Sequence, residues 1–383
     1  MNRRTRVVAG VAVAAALSVS GTARAGNASI DVPSEGDAVS AYALPRAEFL
    51  EDNYLFYNLP PIGPKGARGN VPLLLEASVA PHFVFYDGLS RATRPRPKGV
   101  TRWERFQLFF GNWFFDPSIT MQFKLRMVKN DPDAMNTSSP VRPMSFMPRV
   151  NLQAFYVRRL PPFGPHALLI ASPRASLGHH SNGQEYCRFD TTPGAHLDGL
   201  NCPDIPHPNL ADVNFRSGDF SLNYWEAGAN AALLFLDGEN VENQRVELGV
   251  FVAHNPLEWG PGGISQQQLE LYGGTQVKLD AAYSWFENTL ATDEGMGAMS
   301  GALTARVSYE QFLGGRSDVP DKLVSAEVSR TFFWLGGAGG FVRYAYGRDY
   351  LNILFVEPAI STFQMGVIFQ QRPPFRYRYD ETK

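Results

Sequence analysis

The sequence predicts an all-β fold, a transmembrane antiparallel β-barrel of about twelve strands, with a soluble two-sheet sandwich as the competing architecture. Three observations lead there. Apolar and polar residues alternate through about a dozen segments between residues 80 and 370. Gly 35, Pro 28, Phe 27 and Tyr 15 suit short strands and turns better than helices. An export signal opens the chain, and no later run of about 18 apolar residues could form a membrane helix.

Arg3, Arg4 and Arg6 form a basic n-region, Val7 to Val19 is almost uncharged, and Ala23-Arg24-Ala25 supplies a small-x-small cleavage pattern. Residues 1–25 therefore read as a signal peptide. Its removal takes away four arginines and no acid, which changes the formal charge from −2 to −6. That balance argues against a nucleic-acid partner, which calls for a basic surplus. Residues 26–45 read as a polar, poorly ordered extension, and 46–370 as one β-domain with no repeat and no second domain.

Within that domain Ile119-Thr120-Met121-Gln122-Phe123-Lys124-Leu125-Arg126-Met127 has one wholly apolar and one wholly polar face. Val277 to Ala281, Leu303 to Val307 and Phe363 to Val367 repeat the pattern. A sandwich would turn the apolar face inward, whereas a membrane barrel turns it outward and keeps charge in the lumen. Composition alone does not decide between them. Aromatics crowding the strand ends (Phe109, Phe110, Trp113, Phe114, Phe115; Phe332, Phe333, Trp334) and the export signal favour the barrel. In the tail, 371–383, Pro373-Pro374 stops the last strand, and Phe375, Tyr377 and Tyr379 alternate with arginines as a short extra edge or an interfacial patch.

Cys187 and Cys202 are the two cysteines of the chain, 15 positions apart. In an oxidising compartment they read as a disulfide closing that loop, contributing about 3 kcal/mol on the loop-entropy model. A zinc site with His196 or His207 matches no zinc spacing.

The segment that could carry chemistry is Gly178-His179-His180-Ser181-Asn182-Gly183-Gln184. On a strand, His179 and Ser181 share a face and His180 takes the other. A serine becomes a nucleophile when a neighbouring base takes its proton. Gly183 lets the backbone bend so that an N–H meets a developing oxyanion. Asn223, in Phe220-Ser221-Leu222-Asn223, is a neutral group able to orient the imidazole. Ser-Asn-Gly is also ordinary turn chemistry, so this run alone does not specify a catalytic site.

These residues resemble the outer-membrane phospholipase A family of Gram-negative bacteria, whose signature is His-x-Ser-Asn-Gly followed by Ser-x-Asn on the next strand. Here they are His179-His180-Ser181-Asn182-Gly183 and Ser221-Leu222-Asn223. Asn53-Tyr54-Leu55-Phe56-Tyr57 resembles the family's opening, and Phe106-Gln107-Leu108 its first barrel strand. Ser138-Ser139-Pro140-Val141-Arg142 is similar to its Ser-Ser-Pro-x-Arg loop, and Tyr346 to Leu351 with the strand that follows is similar to its C-terminal hairpin. The likeness spans roughly residues 52–370.

The resemblance implies a twelve-stranded barrel with an esterase site on its outer wall, acting on membrane phospholipids in the outer membrane. Ser181 would be the nucleophile, His179 the general base, Asn223 its orienting partner and the Gly183 N–H an oxyanion donor. It implies calcium, held by the Gln184 carbonyl, Asp219 and Ser138 of a second copy, with Ser217 the alternative to Asp219, and a homodimer as the active form. The chain departs from the family in Asp219, where the family has serine, and in a longer loop, 184–218. It also lacks a terminal aromatic. An inactive barrel acting as a pore or structural protein is the alternative, with Lys124, Arg126, Lys278, Asp280 and Arg306 lining the lumen.

Overall fold

A computed structural model describes residues 30–34, 37–42, 52–58, 73–85, 113–128, 144–160, 163, 166–184, 186–189, 202, 205–208, 212–214, 218–237, 242–287, 291–292, 295–296, 301–332, 335, 337–348, 360–370 and 376–379. The predicted signal segment, Phe106 to Phe110, Ser138, His196, Ser217, Phe333 and Trp334 lie outside the described residues.

The wall of the molecule is built from β3 (Asn53–Asn58), β4 (Leu73–Val79), β6 (Trp113–Val128), β7 (Ser145–Arg159), β8 (Ala167–Ser181), β9 (Ser221–Leu236), β10 (Glu242–His254) and β11 (Gly273–Glu287). It continues through β14 (Gly301–Gly315), β15 (Lys322–Phe332), β16 (Ala338–Gly347) and β17 (Ile360–Phe369). Among the described residues these twelve strands pair antiparallel in sequence order, β17 returns to β3, and β4 pairs with β6 to close the cylinder. The short β5 (His82–Val84) continues along β6 beyond the end of β4.

Much of the wall keeps the alternation visible in the sequence, though some inward positions, such as Leu168, Ile170, Leu234 and Phe251, are apolar and buried. Leu177, Val250, Leu279, Val307, Val328 and Val367 face outward and are exposed, while Gln153, Arg174, Gln364 and Glu327 face inward and are buried. Apolar outside and polar inside is the arrangement of a transmembrane barrel, because hydrocarbon rather than water covers the wall. Exposed Trp225, Tyr283, Trp285, Tyr344 and Tyr346 decorate the same outer face.

Charge pairs cross the lumen. Arg306 meets Asp52 at 2.9 Å, Arg174 meets Glu226 at 2.6 Å, and Arg343 meets Glu327 at 2.5 Å while lying over the Tyr54 ring. Asp52 also accepts from Gln370 at 2.9 Å. Lys124, Lys278, Asp280 and Arg306 line a residual cavity of about 270 Å³, which places the four predicted lumen residues whose side chains are described inside the barrel.

At one end the β8–β9, β10–β11 and β14–β15 connections pack together. Phe189, Val213, Phe220, Leu222, Ile264, Leu271, Tyr272 and Val319 form an apolar core there. The helix α1 (Gln266–Tyr272) starts with a capping box between Ser265 and Gln268, and Gln268 Oε1 also accepts from Arg188 at 2.8 Å. The Cys187–Cys202 disulfide is formed.

The expected disordered extension is in part a small sheet. β1 (Ile30–Ser34) pairs with β2 (Asp37–Tyr42), and β18 (Arg376–Tyr379) joins β2, so both ends of the chain meet. The alternating Arg376-Tyr377-Arg378-Tyr379 is the extra edge. Two short pieces, β12 (Ala291–Thr292) and β13 (Gly295–Met296), form a hairpin between β11 and β14.

Candidate active site

β8 and β9 run side by side with His179 opposite Asn223 and Ser181 opposite Ser221. Both strands put odd-numbered residues outside: Leu177 is 57% exposed and its partner Trp225 38%. His179, Ser181, Ser221 and Asn223 therefore share the outer wall, close to the loop-covered end. His180 turns inward and packs edge-on against Phe220, with ring centroids 4.9 Å apart.

His179 Nδ1 and Asn223 Oδ1 are 2.7 Å apart. Asn223 Nδ2 donates to the carbonyls of Trp259 and Pro261, the latter at 3.1 Å. Carbonyls only accept, so the amide nitrogen must face them and the amide oxygen must face the ring. His179 then carries its proton on Nδ1 and leaves the Nε2 lone pair to act as a base.

The two hydroxyls on the next rung differ. Ser221 Oγ donates to the Gly262 carbonyl at 2.7 Å. Ser181 Oγ makes no hydrogen bond among the described residues, to His179 or otherwise. Residues i and i+2 on a strand are about 6.6 Å apart along the axis, close enough for imidazole and hydroxyl to meet by side-chain rotation.

Past Ser181 the backbone turns. Asn182 is buried: its Nδ2 donates to the Gly218 carbonyl at 2.8 Å, and its Oδ1 accepts from the N–H of Phe220 at 3.0 Å and of Gln184 at 3.3 Å. That bracket holds the two strand ends together, giving Asn182 of the motif a structural role. Gly183 has φ +65°, a left-handed conformation that favours glycine, and it is exposed at the rim.

The predicted calcium donors divide. Gln184 and Asp219 lie on the same rim, joined through the Asn182 bracket, but Asp219 Oδ2 already holds Arg188 Nη2 at 3.0 Å. Ser138 and Ser217 lie outside the described residues. No group of three or more His, Cys, Asp or Glu able to hold a metal occurs among the described residues.

Sequence reasoning missed residues 259–263, Trp-Gly-Pro-Gly-Gly, which fold from the β10–β11 connection onto Ser221 and Asn223. The run of turn formers was visible; its landing place was not. Below the site, small residues floor the wall: Ala171, Pro173 and Ala175 on β8 face Ala231, Ala229 and Ala227 on β9. Val150 and Leu152 of β7 flank them on one side, and Leu248 and Val250 of β10 on the other.

No family model and no curated protein matches the chain. Among solved structures it is similar to outer membrane phospholipase A from Escherichia coli, at 14% identity and a TM-score of 0.42, covering 84% of this chain and 90% of that one. It is similar to the Salmonella typhi outer membrane phospholipase dimer with bound calcium, at 14% identity and a TM-score of 0.40, over 88% and 94% of the two chains. The β domain of the Bordetella autotransporter BrkA follows at 9% identity and a TM-score of 0.33, over 83% and 97%. Likeness at this level says nothing about chemistry, so the reading of the site rests on its own residues.

Proposed function

We propose that this chain is an outer-membrane hydrolase that cleaves acyl esters of glycerophospholipids through Ser181, His179 and Asn223. The observation that carries the reading is the His179–Asn223 hydrogen bond on the apolar outer wall, one rung from the unengaged hydroxyl of Ser181. His179 Nε2 takes the Ser181 proton as Oγ attacks the ester carbonyl carbon, and the Nδ1–H bond to Asn223 steadies the imidazolium that forms. The Gly183 N–H is assigned to the carbonyl oxygen as it becomes anionic. His179 then returns the proton to the departing alcohol, and water releases the acyl group by the same steps in reverse order.

The floor of small residues supports a lipid substrate, since it leaves room along the wall for an acyl chain whose ester reaches Ser181. A second copy packed over this floor would enclose that chain from the other side, which is how a homodimer enters the proposal. Calcium is proposed only as an activator. With Asp219 held by Arg188, the described donors do not form a dication site as they stand, and no chemical step is assigned to the ion. The paired lumen charges give the pore reading no comparable support.

The test is labelling of the detergent-solubilised protein with a serine-directed sulfonyl fluoride, alongside phospholipid hydrolysis in mixed micelles. Ser181→Ala should abolish both. A folded barrel that hydrolyses no ester, or does so equally well without Ser181, would sink the proposal and favour the pore or structural role.

A further inference from the structure

The turn at residues 259–263 contributes no side chain to the proposed reaction, yet three of its carbonyls face the site. We infer that this turn is a positioning clamp that fixes the amide of Asn223 and, through it, the protonation pattern of the His179 ring. The inference rests on reading His179 as the base.

An asparagine amide can present either end to a histidine. With Oδ1 toward Nδ1, the ring keeps its proton on Nδ1 and has a free lone pair on Nε2. With the amide reversed, Nδ1 must accept, the proton moves to Nε2, and the base is lost. Nothing within Asn223 itself decides between the two. The carbonyls of Trp259 and Pro261 decide, because both receive Asn223 Nδ2. Reversal would set the amide oxygen against two carbonyl oxygens and leave both without a donor.

The turn is anchored for this task. Ser221 Oγ donates to the Gly262 carbonyl at 2.7 Å, one rung from the site. At its base Leu257 bridges Ile264, and the Glu258 N–H donates to the Ile264 carbonyl at 3.0 Å. The Gly263 N–H closes the tip onto the Gly260 carbonyl at 3.2 Å. Gly262 has φ +71°, and a Cβ there would lie 2.5 Å from Ser221 Oγ and 3.1 Å from His179 Cε1. The tip thus lies directly on the rung it serves, which only glycine allows.

The clamp makes a prediction opposite to that of an unclamped triad. Where a third member simply accepts from histidine, aspartate serves at least as well as asparagine. Here a carboxylate at position 223 would face the two carbonyls, so Asn223→Asp should be displaced from the ring.

The experiment is ¹⁵N NMR of the histidine side chains in the full-length, detergent-folded protein, with the His179 signal assigned by its loss in His179→Gln. The parent should show a protonated Nδ1 and a bare Nε2. Gly262→Ala should convert this to a mixture of tautomers. Pro261→Gly, which loosens the turn without adding an atom, serves if the first variant does not fold. Asn223→Asp should hydrolyse ester no faster than Asn223→Ala. An unchanged Nδ1–H signature in a folded turn variant, or Asn223→Asp activity at the parent level, would overturn the clamp. If the parent hydrolyses nothing but the turn variants still shift the tautomer, the clamp stands and the proposed function fails.

Discussion

Asn223→Ala probes the site most directly. It removes the acceptor 2.7 Å from His179 Nδ1 while leaving Ser181 and the strand ladder in place. The bond becomes charge-assisted only when His179 holds the serine proton, so its loss falls on the transition state more than on the ground state. Hydrogen bonds to charged groups contribute about 1.5–3 kcal/mol. At ~1.36 kcal/mol per tenfold in rate, kcat should fall roughly 10- to 150-fold. KM should change little, because Asn223 touches the ring and the turn but not the scissile ester. The assay is initial-rate hydrolysis of a phospholipid in mixed micelles, with folding of each barrel checked by its heat-dependent gel mobility. An undiminished kcat would refute the role of the amide. A loss as complete as that of Ser181→Ala would refute the magnitude, because a neutral amide that only orients the ring should leave residual catalysis.

Two further outcomes follow from the rim and the wall. Arg188→Gln frees the Asp219 carboxylate, so less calcium should be needed for half-maximal hydrolysis than in the parent; superimposable calcium curves would show that Asp219 is not a ligand. Ala227→Trp fills the floor about 13 Å from the His179–Asn223 rung, at 3.3 Å per residue. It should raise KM for long-chain esters and spare short ones, and equal effects on both would place the acyl chain elsewhere.

Much of this was legible in the sequence because a barrel strand has a period of two. Once Ile119 to Met127 is read as a half-apolar strand, Thr120, Gln122 and Lys124 must face the lumen, and they do. The same parity places His179 beside Ser181 and separates both from His180. Pairing in chain order then brings β9 to β8 and Asn223 to His179. What the sequence left hidden came from loops, where no period constrains the partner. The Trp259 carbonyl reaches Asn223 across 36 positions, and Arg188 takes Asp219 across 31. Asn182 looked like turn chemistry and proved to be the buried bracket between strand ends, because its one side chain satisfies a carbonyl and two N–H groups at once. The strands β1 and β2 were missed, and the edge that extends their local hairpin, β18, comes from a tail more than 330 residues away.

The crossed ion pairs inside the cylinder have a consequence for traffic. A hollow tube offers two doors, but Arg306, Arg174 and Arg343 with their acids brace this one across its lumen. If the proposed function holds, lipid would reach Ser181 on the outer wall sideways from the surrounding leaflet, and products would leave the same way. Turnover would then be governed by which lipids drift past the wall, so the make-up of the bilayer, rather than any dissolved concentration, would set the pace.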